Sequence, residues 1–292
     1  MSTARTVRGP RRSPADRVRA RLRRVAPGRL ADAMPDGYQR LGRVLLLRLP
    51  AAYRPYLGVL GEAWRQELGV ATVLTQVGPV DGELRRPRVE RIAGATTETE
   101  VVEHGIRWRL DAAELMFAAG NRTERQRAGH LVRPGETVVD LFAGIGYFAV
   151  PAALVGGAAR VVAVEKNPLA YRYLLENAER NRVADRIDAR LGDNRTVPLD
   201  RGGADRVFLG YLPDAVPWVG RAVGLVRPEG GWLHVHAVAD ARGPRDATAA
   251  RVGTAVALAG GSLTEPPTTR TVKPYGPGRT HVVVDARVRP ST

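Results

Sequence analysis

Three acids in the middle of the chain stand where short turns would present them to a ligand: Asp140, Glu165 and Asp193. Asp140 opens the run Asp140-Leu141-Phe142-Ala143-Gly144-Ile145-Gly146. Its two glycines let the backbone turn sharply out of a strand and approach a bound molecule closely. Glu165 ends the apolar run Val161-Val162-Ala163-Val164. It lies about twenty residues past the glycine turn, where an acid can accept hydrogen bonds from both hydroxyls of a ribose. Asp193-Asn194 follows a further strand candidate and could take an adenine amino group on its carboxylate. The same pair would equally form an Asx turn.

A dinucleotide site would want a G-x-G-x-x-G turn with a pyrophosphate at the helix N-terminus. Here the turn reads Ala143-Gly144-Ile145-Gly146-Tyr147-Phe148-Ala149. Asp140 would repel a pyrophosphate, whereas it suits a sulfonium and its α-ammonium group. The charge pattern therefore points to S-adenosylmethionine as the ligand, used as a group donor.

These residues need a sheet to hold them. Runs at 137–141, 160–165, 187–191, 206–209 and 231–238 read as strands, with helices at 168–181, 215–226 and 245–259 and a last strand at 281–288. Alternating strands and helices with short links imply a parallel, doubly wound α/β sheet of Rossmann-like form. A helix at 114–132 would lead into it. The segment before it is different. Residues 42–49 form a short apolar run ended by Pro50, and Tyr56, Leu60, Trp64 and Leu68 recur on one helical face. Further strands are expected at 72–75, 88–92, 99–103 and 106–110. The expected organisation is a basic, disordered leader over 1–35, with a short helix possible around 16–25, a small α+β domain over 36–112, and a catalytic domain over 113–292.

The formal charge is +15, which invites a nucleic-acid reading. Its distribution weakens that inference, because residues 1–29 hold ten Arg against one Asp and so carry +9 of it. Lys166 and Lys273 are the only lysines, and with abundant Ala, Gly, Val and Pro this reads as the composition of a GC-rich genome. The absence of cysteine excludes disulfides, thiolate nucleophiles and Cys-ligated zinc. The five histidines offer one close pair, His234 and His236 on a strand, and no metal site is assigned. No apolar run approaches the ~18 residues of a membrane span, so no membrane partner is expected and the expected location is the cytoplasm. No oligomeric state follows from the sequence.

Beyond the donor loop, the residues resemble a known family. Asp140 to Gly146, then Glu165-Lys166-Asn167-Pro168, then Asn177 and Asn181, look like the tRNA guanosine methyltransferases and the wybutosine-pathway aminocarboxypropyl transferases, which act beside the anticodon. Met116-Phe117-Ala118-Ala119-Gly120-Asn121-Arg122-Thr123-Glu124-Arg125 is similar to the segment entering their class I catalytic domain. Val272-Lys273-Pro274-Tyr275-Gly276-Pro277-Gly278-Arg279-Thr280-His281 is similar to their C-terminal signature. The resemblance covers about residues 36–288. Leu209-Gly210 and His234-Val235-His236 resemble the aminocarboxypropyl branch, whose reaction leaves methylthioadenosine.

The resemblance implies that Arg125 contacts the donor's methionine carboxylate and that Asn121 caps the helix or touches the donor. It sets Phe117, Phe142, Ala143, Lys166, Asn167, Leu209 and Gly210 on the donor side with Asp140, Gly144, Gly146, Glu165, Asp193 and Asn194. Phe142 and Phe148 suit a core position equally well. Tyr211 and Asp214 are the acceptor-side candidates. The family's pattern is altered at Phe117-Ala118-Ala119-Gly120 and at Tyr211-Leu212-Pro213-Asp214. These departures favour a phenolic small molecule as acceptor, in antibiotic biosynthesis of the isonocardicin synthase kind. The alternatives are tRNA, modified by aminocarboxypropyl or methyl transfer, and a non-catalytic nucleic-acid-binding module.

Overall fold

The computed structural model describes residues 13–244 and 246–291. The first twelve residues of the basic leader lie outside the described residues. The chain forms two compact units, Met1–Val101 with Leu110–Phe117, and Val102–Arg109 with Ala118–Thr292.

The first unit begins earlier than the sequence suggests. Helix α1 (Pro14–Leu22) starts on a capping box in which Ser13 and Asp16 exchange side-chain to backbone hydrogen bonds. Ala15, Val18 and Leu22 are buried and join the core of this unit, as do Ala31 of α2 (Gly28–Asp32) and Met34. The expected disordered leader is thus corrected from residue 13 onward. The apolar residues spaced three and four apart were masked by the surrounding arginines. Strands β1 (Tyr38–Leu41) and β2 (Val44–Leu47) are antiparallel. Pro50 precedes a 3₁₀ turn, Ala51–Tyr56, that contains Pro55, so that α3 (Leu57–Leu68) begins later than its apolar face predicts. Strands β3 (Thr72–Gln76) and β4 (Val89–Ala93) complete a four-stranded sheet, with β2 and β3 parallel.

The hairpin of β5 (Glu98–Glu103) and β6 (Ile106–Asp111) turns through His104 and Gly105, both at positive φ. The chain enters the second unit within this hairpin after Val101, returns to the first at Leu110 and leaves it again after Phe117, where a single boundary near residue 112 was expected.

In the second unit, α4 (Arg122–Leu131) follows a 3₁₀ turn at Ala119–Asn121, and residues 114–118 are not helical. Then come β7 (Thr137–Asp140), α5 (Ala149–Leu154), β8 (Arg160–Glu165), α6 (Pro168–Arg180), β9 (Ile187–Leu191) and β10 (Arg206–Leu209). A 3₁₀ turn at Val216–Trp218 and α7 (Val219–Val223) replace the longer helix expected there. The unit closes with β11 (Gly231–Asp240), α8 (Ala247–Leu258), β12 (Gly261–Leu263), β13 (Thr268–Gly276) and β14 (Arg279–Pro290).

The sheet order is β12-β14-β11-β10-β7-β8-β9, with β13 paired to β14. From β11 to β9 the strands are parallel, but β14 is antiparallel to β11, β12 and β13. The sheet is therefore mixed, not all parallel. Two strands of this sheet were unforeseen: the three-residue β12, and β13, whose alternating Thr, Arg and Lys lack an apolar stripe. From β7 the chain steps outward to β8 and β9, then returns to β10 on the other side. The carboxyl ends of β7 and β10 thus flank a topological switch point, where ligands of open α/β sheets bind.

Candidate functional site

Asp140 ends β7 at that switch point and is fully buried. One carboxylate oxygen accepts from Phe142 N at 3.1 Å. The other, Oδ2, has no hydrogen-bond partner among the described residues. Burial, and then the charge of Glu165, push this carboxyl up to about 7. Glu165, partly buried at the end of β8, accepts from Gly144 N and from Asn167 N, both at 2.7 Å. Its pKa is raised by burial, with those backbone donors opposing. The two acids therefore share one small region, and among the described residues no cation pairs with either.

Gly144 has φ +57°, and a Cβ there would lie 2.8 Å from the Tyr147 ring. That ring is half-buried and carries the Arg125 guanidinium 5.8 Å from its centroid, so Arg125 reaches the glycine turn through Tyr147. Arg125 is itself buried. Its Nε and Nη2 donate to Glu103 Oε2 at 3.1 and 2.6 Å, and Nη1 donates to Ala118 O at 3.1 Å. Asn121 precedes α4 without a side-chain cap bond, and its Oδ1 is buried without a partner among the described residues.

Ala143 N is tied to Val164 O at 2.9 Å, which holds the glycine turn against β8. Asn167 caps α6 through Leu169 N at 3.0 Å. Asn194 is buried; its Nδ2 donates to Leu141 O at 3.0 Å, and its Oδ1 has no partner among the described residues. Asp193 makes the Asx turn, accepting from Arg195 N at 2.9 Å, and pairs with Lys166 at 3.0 Å and with the Arg195 side chain. Those partners hold its carboxyl below the usual range, the Arg195 side-chain bond foremost.

Asn177 and Asn181 have a clear structural task. Asn177 accepts from Arg109 N at 2.7 Å, and its Nδ2 donates to Arg109 O and Ile145 O. Asn181 accepts from Arg107 N at 2.9 Å and donates to Arg107 O at 2.8 Å. The two amides, one helical turn apart, replace a missing strand along β6 and keep residues 102–109 with this unit.

Gly210, a donor-side candidate, follows β10. A Cβ there would fall 2.6 Å from Phe148 Cε2, so Phe148 fills the space of any side chain at 210. Leu209 is buried. Tyr211 stacks on Phe142, with ring centroids 5.2 Å apart, and Trp218 meets both rings. Asp214 accepts from Val216 N at 3.2 Å and pairs with Arg251, so it ties its loop to α8. Phe117 belongs to the first unit, where it is buried and its carbonyl accepts from Gln39 at 2.6 Å. Sequence reasoning missed Glu103, Tyr147 and Trp218. Tyr147 had a signal, since it directly follows the second glycine of the turn.

The methyltransferase-domain model of the TRM5/TYW2 family matches residues 99–256, and the TYW2 N-terminal domain model matches residues 18–97. The chain belongs to the TRM5/TYW2 family. It is 37% identical over 93% of its length to a Pyrococcus horikoshii relative, of which the match covers 96%. That relative is named tRNA(Phe) (4-demethylwyosine(37)-C(7)) aminocarboxypropyltransferase. A Methanocaldococcus jannaschii relative of the same name is 32% identical, over 86% of this chain and 97% of that one. Among solved structures, P. horikoshii TYW2 in complex with MeSAdo is similar at a TM-score of 0.84 and 33% identity, covering 95% of this chain and 100% of that one.

These relatives overturn the phenolic small-molecule acceptor and the antibiotic-pathway setting. The physical reason lies in the two altered segments that prompted them. Tyr211 packs into an aromatic trio and Asp214 into an ion pair, so the changes at 211–214 repack a loop. Phe117 is a core residue of the first unit. Among the described residues, no helix is long and apolar enough to cross a membrane.

Proposed function

We propose that this protein transfers the 3-amino-3-carboxypropyl group of S-adenosylmethionine to C7 of 4-demethylwyosine at position 37 of tRNA(Phe), acting in the cytoplasm. The observation that carries this reading is a match to aminocarboxypropyltransferases along nearly the whole chain, in both units, rather than over the donor loop alone. The donor supplies an electrophilic methylene carbon on a sulfonium, with methylthioadenosine as the neutral leaving group.

The buried side chains fit that donor. Asp140 Oδ2, Asn194 Oδ1 and Asn121 Oδ1 are acceptors without partners among the described residues, and such atoms are costly to leave so. Asp140 would face the donor's cationic portion, and Glu165 its ribose. Glu165 already fixes the glycine turn, so it arrives pre-organised. Asp193 and Asn194 would border the adenine, beside Lys166 and Asn167. Arg125, held by Glu103, would orient the carboxylate end of the donor either directly or through Tyr147. Phe142, Ala143, Gly144 and Gly146 would form the near wall, and Leu209 and Gly210 the floor toward the acceptor. Tyr211 offers a ring on the acceptor side. Selection among the three carbons on sulfur is a matter of position, because the attacking atom must lie about 3–3.5 Å away and in line.

The test is the product. Incubation with S-adenosylmethionine and tRNA(Phe) carrying 4-demethylwyosine should release methylthioadenosine and add about 101 Da to the base, the mass of the positioned group. Release of S-adenosylhomocysteine with a gain of about 14 Da would move the chain to the methyl-transferring branch.

A further inference from the structure

The signature at 272–281 has no part in the donor site, yet the fold gives it a defined place. Strand β11 runs parallel to β7 and β10, so its end at Asp240 lies on the same sheet edge as the glycine turn. Strand β14 runs back from that edge, with Arg279 opposite Asp240. The turn between β13 and β14, residues 276–279, is therefore on the donor edge of the sheet. At its base the Lys273 stem packs over Gly120, next to Asn121, and Arg270 pairs with Glu124 of α4.

The turn is stiff. Pro274 and Pro277 restrict its backbone, and Gly278 takes φ +65°. Thr280 Oγ1 donates to Lys273 O at 3.1 Å, and Ala241 N donates to Gly278 O at 2.9 Å. The last bond binds the neighbouring turn, which carries Arg242, to the hairpin tip. Arg242 and Arg279 are exposed and have no side-chain partner among the described residues. Tyr275 is 38% exposed, the one large apolar side chain so exposed in this hairpin. No acid occurs between Glu265 and Asp285, while Arg270, Lys273 and Arg279 do.

We infer that the β13–β14 tip is a nucleic-acid contact, in which Tyr275 stacks on an unpaired base and Arg242 and Arg279 hold flanking phosphates. This rests on the reading of tRNA as acceptor. An exposed aromatic on β13, with Arg279 on the adjacent β14 and Arg242 past the end of β11, fits single-stranded RNA, where stacking supplies contact area and the cations neutralise the backbone. A pre-ordered tip loses little conformational freedom on binding. An apolar protein surface would find one ring and no patch.

Transfer kinetics with 4-demethylwyosine-containing tRNA(Phe) test this directly. Tyr275→Ala should raise KM for tRNA by about ten-fold, with Kd for S-adenosylmethionine unchanged, and Tyr275→Phe should behave as wild type. The double variant Arg242→Ala/Arg279→Ala should lower the slope of log affinity against log salt by about 1.5. If the wild type transfers the group and every variant keeps its KM and salt slope, the hairpin assignment is wrong and the functional reading stands. If the wild type neither binds nor modifies this tRNA, both fall together.

Discussion

Two clusters of buried polar groups lie in the second unit, and they are built on opposite terms. Along the sheet, Glu136 accepts from Arg206 at 2.9 and 3.1 Å, and Arg206 Nη1 meets His234 Nε2 at 2.7 Å. His234 Nδ1 meets Asp285, which pairs with Arg127; Arg127 and Arg270 both pair with Glu124. Burial lowers the pKa of His234, so the neutral ring donates from Nδ1 to Asp285 and accepts from Arg206 at Nε2. Burial works against the Asp285 carboxylate too, but His234 and Arg127 hold its pKa below the usual value. Each charge in this chain meets an opposite charge or a hydrogen bond. At the switch point, by contrast, Asp140 and Glu165 are desolvated side by side, with their pKa values raised. A fold that satisfies one cluster and leaves the other short of cations has left room for a cationic ligand. Unpaired buried charge, rather than buried charge as such, distinguishes the candidate site from the network.

Removing one member from each cluster should have opposite consequences. The largest effect is expected at Asp285, because Asp285→Ala removes the acceptor of His234 Nδ1 and one of the two carboxylates that Arg127 pairs with. Loss of one partner from a buried ion pair costs about 3–5 kcal/mol, and chemical denaturation should show a drop of that order. A loss below about 1 kcal/mol would mean that the network is not the clamp described.

Asp140→Asn should act the other way on stability. The carboxylate is more costly in the folded protein than in the unfolded chain, while Asn can still accept from Phe142 N. Donor-free protein at pH 8 should gain about 1–3 kcal/mol, and S-adenosylmethionine affinity should fall by more than ten-fold. A less stable variant would contradict the picture of Asp140 as an unpaired charge. Glu165→Ala should also lower donor affinity about ten-fold or more, without the gain in stability, because it frees the Gly144 and Asn167 amides as well.

The sequence displayed one of these clusters far better than the other. Asp140, the two glycines and Glu165 are local: each sits at a strand end, and the spacing of a βα turn and the next strand fixes their neighbourhood. The strands 160–165, 187–191 and 206–209 were legible with their bounds for the same reason. The His234 network was not, although His234 and His236 were visible on one strand face. Its partners are set by the register of β11 on β14, His234 opposite Asp285, and by where α4 lies, both long-range facts. The role of Arg125 was half legible: its neighbourhood followed from the family pattern, but Glu103 comes from a hairpin that no local spacing ties to α4. Asp193 shows the reverse case: its Asx turn was one of two readings open in the sequence, and its ion pairs were not foreseen. Its place at a strand end suggested an open acceptor, and the cations that engage it lie at 166 and 195. The buried residues of α1 were obscured by composition, since arginines on the exposed face hid a three- and four-residue apolar spacing.

The smallest effect sharpens the comparison most, because it reads the unpaired charge in the intact protein. With the Asp140 carboxyl near pH 7, the donor-free protein holds a proton there at pH 6 and has lost it at pH 8. A sulfonium and an ammonium group favour the ionised form, so binding at pH 6 must first expel that proton. The sign is therefore a rise in affinity with pH through about 7, by about ten-fold between pH 6 and pH 8 for one linked proton. Titration calorimetry in buffers of different ionisation enthalpy should detect close to one proton released at pH 6 and almost none at pH 8. The ligand's own ammonium group titrates outside this window only in part, so Asp140→Asn is the control: its affinity should be low and lose most of the pH dependence. An unchanged pH profile in that variant would assign the linked proton to another group, with Glu165, whose pKa is raised by the same burial, the next to test.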